Sequence, residues 1–195
     1  MKKHKDKKLT RCAWPGDDAL MVAYHDNEWG VPQRDDKILF EYIVLDTFQA
    51  GLSWQIILRK REGFRKAFRN FDYKKVAKMT DNDVERLMLD ASIIRNRLKI
   101  DGTIKNAKAF LNIQKELGSF SKYLWQFVGN KPIINNHKRS STIGSTSKLS
   151  DRISKDMKKR GLTFVGSTII YAFMQGAGLV NDHLVSCFRH KQVRE

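Results

Sequence analysis

Asp35-Asp36-Lys37-Ile38-Leu39-Phe40-Glu41-Tyr42-Ile43-Val44-Leu45-Asp46 is the stretch that sets the class of this protein. Ile38, Leu39, Tyr42, Ile43 and Leu45 recur at three- and four-residue spacing, the period of an α-helix with a buried face. Asp35 and Asp36 stand at its start, where acidic side chains meet free backbone N–H groups. Gly51-Leu52-Ser53 breaks the helix, and Ser53 can cap the next one. There Ile56, Ile57, Phe64 and Phe68 mark the expected buried stripe.

The same period continues down the chain. Thr80-Asp81-Asn82-Asp83 fits a capping box with Asp in the usual Glu place, opening a helix through Val84, Leu87 and Met88. A break follows at Asp90-Ala91-Ser92. A long helix is predicted from about Arg95, with Leu98, Ile100, Ile104, Ala107, Phe110 and Leu111 inward. Ser119 caps another that turns Tyr123, Leu124 and Phe127 inward. Residues 129–150 hold few large apolar groups and read as a long, solvated or DNA-touching loop. Ile153 and Met157 sit on a helix closed by Gly161, and a last one from near Ser167 buries Ile169, Ile170, Phe173 and Met174. No alternating run is long enough to read as a strand, so the fold class is all-α.

The chain has 195 residues, of which 41% are hydrophobic, enough for one packed domain. Residues 11–190 are expected to form it, after a Lys-rich, disordered arm at residues 1–10. The formal net charge is +16, from 37 Lys and Arg against 21 Asp and Glu. Such an excess points to a polyanionic partner, nucleic acid ahead of an anionic membrane surface. No segment has the ~20 apolar residues of a membrane span. No apolar stretch follows the basic residues at the start, as a signal peptide requires. A cytoplasmic protein with reduced thiols is expected.

Cys12 and His25 lie near one end of the chain, His183 and Cys187 near the other. A four-residue spacing on a helix would place His183 and Cys187 on one face, within reach of a single ion. Two Cys and two His fill a tetrahedral zinc site with no open position, the mark of a structural site. As a bare pattern it is weak, because lone cysteines are ordinarily small buried residues.

Trp14, Trp29 and Trp54 fall in the N-terminal third, close to Tyr24 and to breaks in the helical pattern. Core packing explains any one of them. Their polar and glycine neighbours suggest rings lining a pocket, where they can stack on a planar, cationic base. Asp46 ends the apolar run. It can accept from a base edge or stabilise a positive sugar; facing solvent or capping the break is the plain alternative.

Tyr24-His25-Asp26-Asn27-Glu28-Trp29-Gly30-Val31-Pro32, Gln49-Ala50-Gly51-Leu52-Ser53-Trp54, Lys159-Arg160-Gly161 and Gly178-Leu179-Val180-Asn181-Asp182-His183 follow one another in this order. Together they closely resemble the bacterial 3-methyladenine DNA glycosylase I family, over about Arg11 to Cys187. The resemblance implies a helix-hairpin-helix glycosylase fold, with the hairpin near Ala91 to Ile94. It implies Cys12, His25, His183 and Cys187 as ligands of one structural zinc ion that clamps the N- and C-terminal segments. It implies that Tyr24 and Trp54 contact a flipped base, with Trp14 and Trp29 nearby. Gly51 and Leu52 match the segment expected to fill the gap that the base leaves. Arg95, Arg97 and Lys99 are expected phosphate contacts.

The resemblance also carries departures. The acidic pocket residue of the family is usually Glu, and here Asp46 matches it, retracted by one methylene, ~1.5 Å. Thr47 and Phe48 stand where small and amide residues are usual, and Met21 where Tyr is common. The implied activity is monofunctional excision of 3-methyladenine from double-stranded alkylated DNA by a monomer without an obligate protein partner. Asp46 is its candidate catalytic residue. The competing reading, supported by these departures, is a non-catalytic or altered-specificity damage-binding protein of the same fold.

Overall fold

The structure is a computed structural model that describes residues 9–193. Of the arm expected at residues 1–10, all but Leu9 and Thr10 lie outside the described residues. In chain order the elements are α1 (Ala19–Asn27), α2 (Asp36–Gln49), α3 (Trp54–Arg59), α4 (Arg61–Ala67), α5 (Tyr73–Val76), α6 (Asp81–Leu89), α7 (Arg97–Leu117) and α8 (Phe120–Trp125). Then come β1 (Ile133–Ile134), α9 (Lys148–Lys159), α10 (Ser167–Gly176), β2 (Val180–Asn181) and α11 (Arg189–Gln192). The chain is mostly helical.

The centre of the molecule is α2. Every residue from Leu39 to Phe48 is buried, because α3, α7, α8 and α10 pack around it. A helix apolar on nearly all sides belongs in a core rather than on a surface. Its ends are satisfied by side chains. Asp35 accepts from Lys37 N and Ile38 N at 2.8 and 3.0 Å. Asp36 turns away from its own helix and accepts from Phe120 N and Ser121 N at 2.9 and 2.7 Å, so it caps the first turn of α8.

Lys99 serves the other end of α2. Its ammonium donates to Phe48 O at 3.0 Å and Ala50 O at 2.8 Å. A cation there also meets the negative end of the helix dipole. The expectation of Lys99 at a phosphate is therefore corrected: the side chain is buried, and burial lowers its pKa. Arg95 and Arg97 remain exposed, and Arg97 pairs with Glu85.

The helix start signals lie where the sequence places them, with Ser53 on α3, Ser119 on α8 and the Thr80–Asp83 box on α6. Two buried-stripe expectations are corrected. Because α3 stops at Arg59 and α4 restarts at Arg61, the helical phase resets. Ile56 then faces solvent while Ile57, Phe64 and Phe68 are sealed. Leu98 is exposed as well, on the outer face of the first turn of α7, whose inner face carries the buried Lys99 and Ile100. Between α6 and α7 the chain reverses: Asp90 accepts from Ser92 N at 2.8 Å, and Asn96 caps α7 through Lys99 N at 3.1 Å. This turn rests on α4, where a Cβ on Gly63 would sit 2.4 Å from Ser92 O.

Residues 129–150 are not all loop. Ile133 and Ile134 pair in parallel with Val180 and Asn181. Val185 N then donates to His137 O at 2.9 Å. The partner strand lies far along the chain and the ladder is two residues long, so no alternation marks it. Gly178, at φ +70°, lets β2 pass close to α1's exit: a Cβ there would meet the Val31 and Pro32 backbone at 2.4 to 2.5 Å.

Lys99→Met keeps the stem and removes both bonds to the α2 carboxyl end. The expected cost is about 2 kcal/mol of stability, since one buried and one part-buried carbonyl lose a charged donor. Arg97→Met breaks an exposed pair and is expected to cost under ~1 kcal/mol. Urea unfolding midpoints compare the two, and equal effects would contradict the capping role.

Candidate functional site

A cavity of about 360 Å³ opens beside the middle of the molecule, lined by Trp14, Tyr24, Trp29, Asp46, Gln49, Trp54, Ser140, Ile143, Ala172 and Gln175. Tyr24 comes from α1, Asp46 and Gln49 from α2, Trp54 from the first turn of α3, and Gln175 from the last turn of α10. The Tyr24 and Trp54 rings lie 5.2 Å apart, tilted by 53°. Trp14 stands edge-on to Trp29 at 5.2 Å and to Tyr24 at 6.3 Å. The walls are thus aromatic and the floor polar, a shape that accepts a flat heterocycle on edge between rings.

The carboxylate of Asp46 has almost no contact with solvent, which rules out the alternative in which it faces water. It makes no hydrogen bond to any described residue, and burial alone drives its pKa well above the usual carboxylate range. Tyr24 is pushed up too, by burial first and then by the negative field of Asp46. Its hydroxyl stays neutral and able to donate. Gly176 leaves the room for it, since a Cβ there would sit 3.2 Å from the hydroxyl oxygen. Trp54 Nε1 and Thr47 Oγ1 are buried with no partner. Beside this pocket Arg61 holds Glu28 and Glu41 at 2.8 and 2.6 Å, and Arg65 holds Glu41 at 2.9 Å, so these guanidinium groups are already committed.

Gly51 and Leu52 lie in the exposed turn between Gln49 and Trp54, two residues that line the cavity, without lining it themselves. Arg95 and Arg97 lie at the end of the α6–α7 turn and the start of α7 and do not line it. Gln49, Ser140, Ile143, Ala172 and Gln175 line the cavity without having been expected there. The one signal among them was Gln175, a polar residue interrupting the most apolar stretch of the chain.

A second cluster joins the chain ends. The ligand atoms of Cys12, His25, His183 and Cys187 all lie within 4.8 Å of one another, and all four residues are buried. Cys187 Sγ is 3.5 Å from both His25 Nε2 and His183 Nδ1, and Cys12 Sγ is 3.8 Å from His183 Nδ1. The remaining ring nitrogens are occupied: His25 Nδ1 meets Asp26 at 2.7 Å, and His183 Nε2 meets Trp29 O at 2.9 Å. Such bonds fix a ring with its free nitrogen toward an ion. Arg11 holds Asp26 in turn, at 2.7 Å. The Cys187 thiol is pulled down first by its bond from Cys12, while the Cys12 thiol is pushed up. The four residues can therefore hold a metal ion. His183 and Cys187, whose four-residue spacing would share one face of a helix, do not lie on a helix. They stand on a turn closed by Cys187 N donating to Leu184 O at 2.8 Å.

The methyladenine glycosylase family model matches residues 14–190. DNA-3-methyladenine glycosylase 1 of Escherichia coli (strain K12) is 50% identical over 179 residues, covering 92% of this chain and 96% of that protein. A crystal structure of 3-methyladenine DNA glycosylase I superposes with a TM-score of 0.90 at 47% identity, covering 92% of this chain and 98% of that one. A Staphylococcus aureus 3-methyladenine DNA glycosylase I, solved to explain recognition of 3-methyladenine, superposes at 0.89 with 37% identity, covering 92% and 96%.

An ionised carboxylate in this pocket works against folding of the empty protein. The folded-state pKa of Asp46 is raised, so its contribution is fully favourable below the unfolded value and is lost as pH rises through the folded one. Asp46→Asn is therefore expected to be more stable than the parent at pH 8, with the gap closing as pH falls toward 4. Urea unfolding at both pH values measures it; a gap that widens on acidification would contradict the burial of an unpaired charge.

Proposed function

The chain belongs to the methyladenine glycosylase family, and we propose that it excises 3-methyladenine from alkylated duplex DNA by hydrolysing the N-glycosidic bond. The observation that carries this is the buried, unpartnered carboxylate of Asp46 between aromatic walls. A pocket with an uncompensated negative charge selects a ligand that brings a positive one. N3-alkylation makes adenine cationic, which supplies that charge and also makes the base a better leaving group.

The duplex has to surrender the nucleotide, because the bond to be cut is out of reach inside the stack. Leu52 and Gly51, in the turn between Gln49 and Trp54, fill the space left behind. The base stacks on Trp54, with Trp14 and Trp29 closing the ring-lined wall; a cation over indole is stabilised by ~1–2 kcal/mol in a dry site. Tyr24 donates from its neutral hydroxyl. Asp46 opposes the positive charge of base and sugar as the bond lengthens, an interaction stronger in the transition state than with an unalkylated base. No lysine amine lines the cavity among the described residues, which supports water as the nucleophile and an intact strand.

The α6–α7 turn is the hairpin of a helix-hairpin-helix, with Arg95 and Arg97 and the free amides of the α7 start toward phosphate. The net charge of +16 favours the same partner. In this reading residues 11–190 act as one cytoplasmic, monomeric unit. No helix among the described residues is long and apolar enough to cross a membrane.

The ion at the chain ends is zinc. Bonds of ~2.3 Å to sulfur and ~2.0 Å to nitrogen at a tetrahedral centre imply ligand separations of ~3.5 Å. The S···N distances of 3.5 to 3.8 Å fit that geometry. With all four positions filled by protein its role is to fasten the chain ends, one ion per chain.

Incubating the protein with methylated duplex DNA is expected to release free 3-methyladenine without strand cleavage, and Asp46→Asn to slow release on the order of 100-fold. Folded, zinc-loaded protein that releases no base would overturn the enzyme reading and favour damage binding. For the metal, about one zinc per purified chain is expected, with both thiols unreactive until a chelator is added. Substoichiometric zinc together with two freely reactive thiols would refute the four-ligand site.

A further inference from the structure

We propose that Gln175 distinguishes adenine from 6-oxopurines, presenting its amide oxygen to the exocyclic amine of the flipped base from an orientation locked by Asp182. The inference rests on the base-excision reading and adds a specificity-determining residue to it. Gln175 lies in the last turn of α10 and lines the cavity. Its backbone is pinned there, with its carbonyl accepting from Gly30 N at 3.0 Å and Gly178 N at 3.3 Å. Its side-chain Nε2 donates to Asp182 Oδ2 at 2.8 Å.

Asp182 is 1% exposed, and both its oxygens act as acceptors. Tyr171 donates its hydroxyl to Oδ2 at 2.8 Å, and Asn135 Nδ2 donates to Oδ1 at 2.6 Å. A flipped Gln175 amide would set its oxygen against a carboxylate oxygen at bonding distance, acceptor against acceptor. The carboxylate therefore fixes which end of the amide faces which way. The other end, Oε1, has no hydrogen-bond partner among the described residues and is not sealed from solvent, so it opens on the cavity. An acceptor held still in an aromatic cavity, with no donor of its own, is complementary to an N–H.

The base offers such a group. The 6-amino group of adenine donates, whereas the 6-oxygen of guanine or hypoxanthine accepts. Asp46 adds carboxyl oxygens to the same cavity, and at the position Gln175 reaches, the 6-oxygen of a 6-oxo base would meet an acceptor. A site built to receive a hydrogen bond rejects an analogue that cannot make it, because buried polar atoms are then left unpaired. Charge selects alkylation, and the fixed amide selects adenine among alkylated bases.

The test compares release of 3-methyladenine and 3-methylguanine from the same methylated duplex, by the parent protein and by Gln175→Met, which keeps the volume and loses the acceptor. The ratio of the two rates is expected to fall about tenfold or more in the variant. Zinc content and the urea midpoint are measured alongside. A merely structural role slows both bases together, and an unchanged ratio overturns the proposal. If Gln175→Met does not fold, Gln175→Asn retracts the same amide by one methylene and the ratio is read there. If the parent releases no base, the excision reading has failed instead. Binding of free 3-methyladenine against 3-methylhypoxanthine to parent and variant then decides, with equal preference in both overturning the role of Gln175.

Discussion

A helix buried on every side has to be satisfied by its neighbours, and the architecture follows from meeting that condition for α2. Its interior residues supply the core; its ends set the positions of other elements. Asp36 fastens the start of α8 to the start of α2. Lys99 fastens the first turn of α7 to its far end. The turn that carries Gly51 and Leu52 begins where Lys99 grips Ala50. The α6–α7 turn ends just before Lys99 itself. Two surfaces proposed to meet DNA are thus joined through one buried ammonium, which sets their spacing without a contact between them.

The same burial explains the chemistry of Asp46. On a surface helix its carboxylate would be hydrated and ordinary. On a helix enclosed by α3, α7, α8 and α10 it is desolvated. Three acidic groups near the centre show contrasting solutions to that cost. Glu41 is paired with Arg61 and Arg65. Asp182 is saturated by neutral donors. Asp46 has neither. Paired or saturated acids hold structure; an acid left unsatisfied beside a cavity is stabilised only when something enters.

Much of this was legible in the chain. Helix starts were visible because capping is local: Ser53, Ser119 and the Thr80–Asp83 box act within three residues of themselves. The family resemblance assembled Cys12, His25, His183 and Cys187, which no spacing rule could do across the length of the chain. What escaped was long-range or depended on phase. The pairing of Ile133 with Val180 is invisible without knowing that the two segments meet. Lys99 read as a surface charge because nothing in its neighbourhood reveals that the end of α2 lies against it. The four-residue spacing of His183 and Cys187 would bring them together on a helix, and a turn brings the same atoms together instead.

The resemblance puts Asp46 where a Glu is usual, and what that would change follows from how each interaction decays with distance. A hydrogen bond is lost within an ångström or so of misplacement. A Coulomb interaction falls only as the inverse of distance, and in a dry cavity it remains large. Retracting the carboxylate by ~1.5 Å therefore weakens any direct bond to the base far more than it weakens attraction for a positive charge. The site keeps its selection for alkylation and loses part of its directional contact from that side. Direction then has to come from groups held rigidly elsewhere in the wall: the neutral hydroxyl of Tyr24, for which Gly176 makes room, and the amide of Gln175 at the end of α10. Recognition of damage and recognition of the base are in this way divided between a field and a set of fixed dipoles, and the two can vary separately.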